Sequence, residues 1–200
     1  MDRMTADALT ALAGRNCGDC TVCCTVMAID KPDIQKEAGV TCRYCRGGCS
    51  IQDHWPPLCR DYFCGWRRLK IMDDGWRPDR SGVLAEAELQ AGVLQISLVL
   101  VANPLKTVRQ PWFADFAAHC TRSGVKLFLG LPGPPGHQGA SLLISTRQMW
   151  EAAGISRAAV KTLLEAELKR LQAYEFPLRI IRNAGHDFGL REIVPGGAQD

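Results

Sequence analysis

Cys17-Gly18-Asp19-Cys20-Thr21-Val22-Cys23-Cys24, then Cys42-Arg43-Tyr44-Cys45-Arg46-Gly47-Gly48-Cys49, then Cys59-Arg60-Asp61-Tyr62-Phe63-Cys64 together hold nine of the ten cysteines of this chain. Thiols at two-residue gaps, a doublet and two further clusters do not look like a scatter of core cysteines. Metal ligation and a disulfide framework compete for such a pattern, and the compartment decides between them. The opening residues 1–15 carry an acid at Asp2 and no apolar run before a small-residue cleavage site. No secretory signal is expected there, so a reducing cytoplasmic location is expected. In that setting the spacing points to a metal or iron–sulfur site, with a redox dithiol as the competing use.

The residues around the thiols support this. From Asn16 to Gly75 apolar residues are sparse and aperiodic; Val26, Ile29, Ile34, Val40, Ile51, Trp55, Leu58, Phe63 and Trp66 are the candidates for order. A segment with so small a core usually needs a cross-link, and metal binding would then be coupled to folding. The formal charge is only +3. Between Arg15 and Lys70 nine bases face six acids, so the excess lies in the cysteine segment. Metallated thiolates are anionic, and nearby arginines can offset them and donate to sulfur. That use is favoured over a basic nucleic-acid groove. Val93 to Ala102 is about half the ~20 apolar residues a spanning helix needs, and it contains Gln95 and Ser97. A membrane protein is not expected.

Residues 4 to 13 fit a short amphipathic helix, and Pro32 to Ala38 a helical turn or two. Turn residues around Asp73-Asp74-Gly75 and residues 77–82 suggest a boundary, giving a metal-stabilised cysteine module over 1–80 and a second unit over 81–200. The second unit reads as strand Val93–Ala102, helix Pro111–Arg122, strand Val125–Leu131, loop 132–139 and strand Ala140–Ser145. Short and long helices capped by Thr146 and Ser156 follow, then strand Leu178–Ile181 and a polar, loose tail. In the long helix Val160, Leu163, Leu164, Leu168 and Leu171 form one stripe, with Glu165 between Lys161 and Lys169 on the wet face. The fold class is α+β, and the order β-α-β-β-α-β is that of a split βαβ, ferredoxin-like arrangement.

Cys17, Cys20, Cys23, Cys24, Cys42, Cys45, Cys49, Cys59 and Cys64 are all candidate metal ligands. A zinc site takes four such ligands in a tetrahedron, and nine thiols could furnish two. A [4Fe–4S] cluster also takes four; Cys17, Cys20 and Cys23 could present three corners, with Cys24 competing for the third and Cys59 or Cys64 as the remote ligand. Thiolate softness suits both metals, and iron–sulfur is slightly favoured. His54 reads as a surface residue beside Trp55, His119 as a helix-side residue, and Cys120 as a buried structural thiol. Cys42, Cys45 and Cys49 run x2 then x3, the reverse of the radical S-adenosylmethionine spacing. The loop Gly130 to Gly139 lacks a Gly-Lys-Ser/Thr ending and reads as a mobile hairpin loop, not a phosphate cradle. No catalytic motif is recognised, which leans against an enzyme.

With these residues laid out, the segment from about 16 to 66 resembles the YkgJ-type cysteine-cluster family, described as zinc- or iron-chelating domains. The resemblance rests on Cys17-x-x-Cys20-x-x-Cys23-Cys24, on Gly48-Cys49-Ser50-Ile51 and on Pro57-Leu58-Cys59-Arg60-Asp61-Tyr62-Phe63-Cys64. Where the family carries Arg-Pro this chain has Pro56-Pro57, and the arginine's cofactor-side role passes to Arg60. The resemblance implies a bound metal and little about a reaction. Three functions are expected in descending order: a metal-binding module serving metal handling or a protein partner, an iron–sulfur enzyme or electron carrier with substrate between the two units, and a zinc-ribbon-like nucleic-acid or protein adaptor.

Overall fold

The computed structural model describes residues 14–31, 34–51, 54, 56–175, 178–182 and 188–192. It is an α+β fold built on a four-stranded open sheet. β3 (Val83–Gln90), β4 (Val93–Leu100), β5 (Lys126–Leu131) and β6 (Ala140–Leu143) lie side by side in that order. β4 and β5 are parallel, from Gln95↔Lys126 to Val99↔Gly130, and the two outer pairings are antiparallel. α5 (Pro104–Val108) and α6 (Pro111–Arg122) make the crossover from β4 to β5 that a parallel pair requires. α7 (Arg147–Ile155) and α8 (Arg157–Gln172) follow β6.

Before the sheet come α1 (Val22–Val26), the hairpin of β1 (Ile29–Lys31) with β2 (Ile34–Lys36), α2 (Pro57–Asp61), α3 (Gly65–Arg68), a 3-10 turn at Asp74–Trp76 and α4 (Pro78–Ser81). After it, β7 (Leu178–Arg182) pairs antiparallel with β8 (Phe188–Glu192). The expected helix over residues 4 to 13 lies outside the described residues. Among those described, no helix is long and apolar enough to cross a membrane.

Two expectations are corrected. A split order would place a strand between β4 and β5, but here they are direct neighbours, and Leu178–Arg182 pairs with β8, not with the main sheet. The edge of β4 is taken instead by β3, a strand its Ala and Glu content conceals. The two are joined by Ala91-Gly92, whose φ of 49° and 76° give the paired left-handed residues of a tight hairpin turn. Residues 34–36 are strand, not helix: Ile34 and Lys36 are buried and Gln35 is exposed, a period of two. Glu165, acted on by Lys161 and Lys169 of its own helix, is also gripped by Arg109 from the C-cap of α5, at 2.9 and 3.0 Å.

Other readings hold. The Thr146 hydroxyl accepts from the Met149 amide, and the Ser156 hydroxyl from the Ala159 amide, so both helices are capped as expected. Val160, Leu164, Leu168 and Leu171 of α8 are buried, with Leu163 half-buried beside them.

One continuous hydrophobic cluster takes in Cys64, Trp66, Leu69, Met72 and Trp76 together with the sheet and α6–α8. It therefore runs across residue 80, where composition suggested a boundary. Its aromatic knot is Trp76, edge-on to Trp112 at 4.6 Å and tilted against Phe116 at 4.5 Å. The loop 132–139 is also anchored, since the Gly136 amide donates to the Ala38 carbonyl at 2.9 Å. The end of β5 is thus fastened to the cysteine segment.

Candidate metal centre

Each group of cysteines sits in a local turn that the sequence provides. The Cys20 amide closes on the Cys17 carbonyl at 2.9 Å, and α1 then carries the Cys23-Cys24 doublet. The Cys42 amide reaches back to the Cys24 carbonyl at 2.9 Å, placing the second group beside the first. Cys45 bonds back to the Cys42 carbonyl and bridges Cys49, so Arg43 to Gly48 form a tight knuckle. Cys59 enters through α2, its amide bonded to the Pro56 carbonyl at 2.9 Å. Cys64 is the N-cap residue of α3.

Seven thiols, those of Cys17, Cys20, Cys23, Cys24, Cys42, Cys49 and Cys59, line one cavity of about 140 Å³ with Met27, Ile29, Ile34, Tyr44, Ile51 and Tyr62 among its apolar walls. Cys45 is outside that lining, but its thiol donates to the Cys24 sulfur. Cys64 is buried and is not among the residues lining the cavity, and Cys17 and Cys20 act on it electrostatically. All ten cysteines are free thiols, so cystines do not hold the segment together. Among the described residues, no three His, Cys, Asp or Glu side chains are already drawn into an ion-holding cluster. The thiols share walls without having closed on one point.

Backbone amides are aimed at some of these sulfurs. Those of Val22 and Asp79 donate to Cys20, and those of Trp66 and Arg67 to Cys64. Donors of this kind offset thiolate charge. Burial nonetheless raises the thiols of Cys20, Cys59 and Cys64 above the ordinary range. Within the doublet the Cys23 thiol donates to Cys24. That contact favours the thiolate on Cys24 and pushes Cys23 up, a rise that burial adds to.

The buried countercharge is Lys36, which sequence reasoning passed over. It is 7% exposed, and its ammonium donates to the carbonyls of Thr25, Met27 and Glu37. Burial pulls its pKa down, and the neighbouring Cys42, Cys24 and Cys23 pull it back up. The available signal was its place two residues after Ile34, on the inward face of a short strand. Tyr62 was also missed as a site residue. It lines the cavity, donates to Glu86 at 3.3 Å, and has its phenol pushed upward by burial and by that carboxylate; burial raises Glu86 as well.

The arginines act mainly as struts. Arg15 donates to the carbonyls of Trp66 and Leu69, while Arg67 donates to the Arg15 carbonyl at 2.9 Å. Arg77 joins Asp19 to Asp79. Arg60 is 64% exposed, pairs with Asp61 at 3.3 Å and is not among the residues lining the cavity. His54 is exposed. Cys120 lies apart from the thiol cavity, fully buried on α6, its thiol pushed up to about 12 by burial.

No family model, curated protein or solved structure matches the chain. The chemistry must be argued from its own residues. A second cavity, of about 590 Å³, lies along other residues of α1. Thr21, Thr25, Asp79, Arg80, Asn103 and Lys106 are among its polar lining residues. α1 therefore forms part of a thiol-lined wall and of a polar cleft.

Proposed function

We propose that this chain is a metal-binding protein of the zinc- or iron-chelating cysteine-cluster type, serving metal handling or the binding of a protein partner. The observation that carries the reading is the convergence of seven thiols, from three separate stretches of sequence, on one small and mostly apolar cavity. The donor set fits soft or borderline metals, zinc or a [4Fe–4S] cluster, with iron–sulfur slightly favoured. Cys17, Cys20, Cys23, Cys24, Cys42, Cys45, Cys49, Cys59 and Cys64 are the residues available to hold it. A bound zinc would supply a structural cross-link, and a bound cluster could also supply electron transfer. The thiols have not closed on a point in advance, which agrees with metal binding that completes folding of this segment. Purification without air, followed by elemental and acid-labile sulfide analysis, tests the reading. Iron with sulfide, or stoichiometric zinc, supports it. A chain that holds neither as isolated or after reconstitution would overturn it.

The polar cleft favours a second reading, an iron–sulfur enzyme or electron carrier that binds a small polar molecule beside its metal. The cleft and the thiol cavity share α1, so a ligand in one could be sensed in the other. A colourless protein containing only zinc would remove the electron-transfer version.

A further inference from the structure

We infer that the polar cleft between α1 and the carboxyl end of β4 binds a small oxyanion that is doubly charged, a phosphate ester or a dicarboxylate. This names the ligand class for the cleft of the second reading, and rests on that reading only in taking the cleft as a site. At about 590 Å³ the cleft has room for a metabolite-sized molecule. It opens where the chain leaves β4 through Val101, Ala102 and Asn103 to begin the crossover to β5. In open sheets with parallel strands, the carboxyl ends of the strands are the usual place for a ligand. The floor is held firmly. The Gly82 carbonyl accepts from the amides of Val101 and Ala102 at 2.9 and 3.4 Å, and a methyl group at Gly82 would stand 3.0 Å from the Ala102 oxygen. The stretches that carry Arg80 and Lys106 are therefore fastened to each other before any ligand arrives.

The charge on the lining is lopsided. Asp79, Arg80 and Lys106 are its charged residues, and the Asp79 carboxylate is already paired with Arg77 at 3.0 Å. Among the described residues, the Arg80 guanidinium and the Lys106 ammonium have no hydrogen bond or ion pair. The field of Arg80 reaches Asp19, whose own partner is Arg77. Other arginines of the chain serve as struts: Arg15 and Arg67 hold carbonyls, and Arg109 and Arg157 hold carboxylates. Two unengaged cations on one concave surface thus stand apart from the rest. On the opposite wall Thr21 is the N-cap residue of α1, yet its hydroxyl makes no cap bond and is left to the cleft. Val26 and Trp112 add apolar surface. A guanidinium fork, an ammonium, a hydroxyl and an apolar wall complement a dianion on a small organic frame.

Isothermal titration calorimetry on the full chain at fixed ionic strength tests this, with inorganic phosphate and succinate as the dianions and glycerol as the neutral probe. Arg80→Gln and Lys106→Gln are the cleft variants. Arg147→Gln is the control, a 91% exposed arginine on α7 outside the cleft. Wild type and control should bind one dianion per chain, in preference to glycerol. Each cleft variant should weaken that binding about tenfold or more, with circular dichroism unchanged because neither side chain holds a structural bond. No binding of either dianion by wild type, or equal binding by all variants, would overturn the proposal. Preference for glycerol over both dianions would overturn it as well. Metal content, measured on the same samples, separates this from the reading beneath it. A zinc-only chain that binds a dianion supports the anion site while the electron-carrier reading falls. An iron–sulfur protein that binds neither dianion overturns the anion site and leaves that reading standing.

Discussion

Gly65→Ala tests how tightly the cysteine segment is seated on the sheet. A methyl group built at Gly65 would stand 2.8 Å from the Ala85 Cβ and 3.2 Å from its carbonyl oxygen. Non-bonded carbons rest at about 3.5–4.0 Å, so α3 and β3 must separate by about 0.7–1.2 Å. The obstructing atoms are backbone and a Cβ, so no rotamer change can absorb the strain. Overpacking of this kind costs about 1–3 kcal/mol. Alanine in place of a helical glycine returns up to about 1 kcal/mol. The expected net loss is about 1–2 kcal/mol, or a Tm lower by about 2–8 °C for a chain of this length. Urea melts followed by circular dichroism measure it. Gly154→Ala is the companion, because a Cβ there meets nothing within 4 Å, and that change should stabilise by about 0.5–1 kcal/mol. If Gly154→Ala gains and Gly65→Ala is no less stable than wild type, the close seating of α3 on β3 is refuted.

Trp76→Ala removes the centre of the Trp112, Phe113 and Phe116 knot and should cost about 3–5 kcal/mol, with loss of near-ultraviolet dichroism. For Cys120 the folded thiol titrates near 12 against an ordinary 9.0. The unfolded state therefore loses its proton first, and stability present below pH 9 falls as pH rises toward 12. Cys120→Ala should lack that part of the decline, so the gap between variant and wild type changes by about 1.4 kcal/mol per pH unit above 9 in denaturant melts. Metal removal by a chelator should speed amide exchange over residues 17–64 but spare 66–76, where Trp66, Leu69, Met72 and Trp76 belong to the main hydrophobic cluster. Equal loss of protection across both stretches, read by hydrogen-exchange mass spectrometry, would contradict that division.

Local signals were legible. The apolar run beginning at Val93, the aromatic face of Pro111–Arg122 and the caps at Thr146 and Ser156 all became the elements they suggested. Pairing was less so, because periodicity identifies a strand without naming its neighbour. Val83–Gln90 has the Ala, Glu and Leu content of a helix; its eight-residue register against β4 and its burial beneath α3 and α4 override that propensity. Once β3 and β6 had taken the outer edges, a split order was closed to the remaining strand. At the site, the cysteine spacing marked the candidate ligands, but their placing depends on turns such as Cys42 to Cys24 that link distant residues. Lys36 was counted only as one of the nine bases of the segment, because nothing local distinguishes a lysine that turns inward from one that faces water.

The bond from Gly136 to Ala38 has a practical side. Glycine- and proline-rich stretches such as 132–139 are favoured places to splice in a tag or a fluorescent reporter. Here Gly39 lies so near Pro135 that an added methyl would come within 3.2 Å of it. An insertion there would pry at the cysteine segment from behind, and the altered protein would report on the damage, not on the molecule.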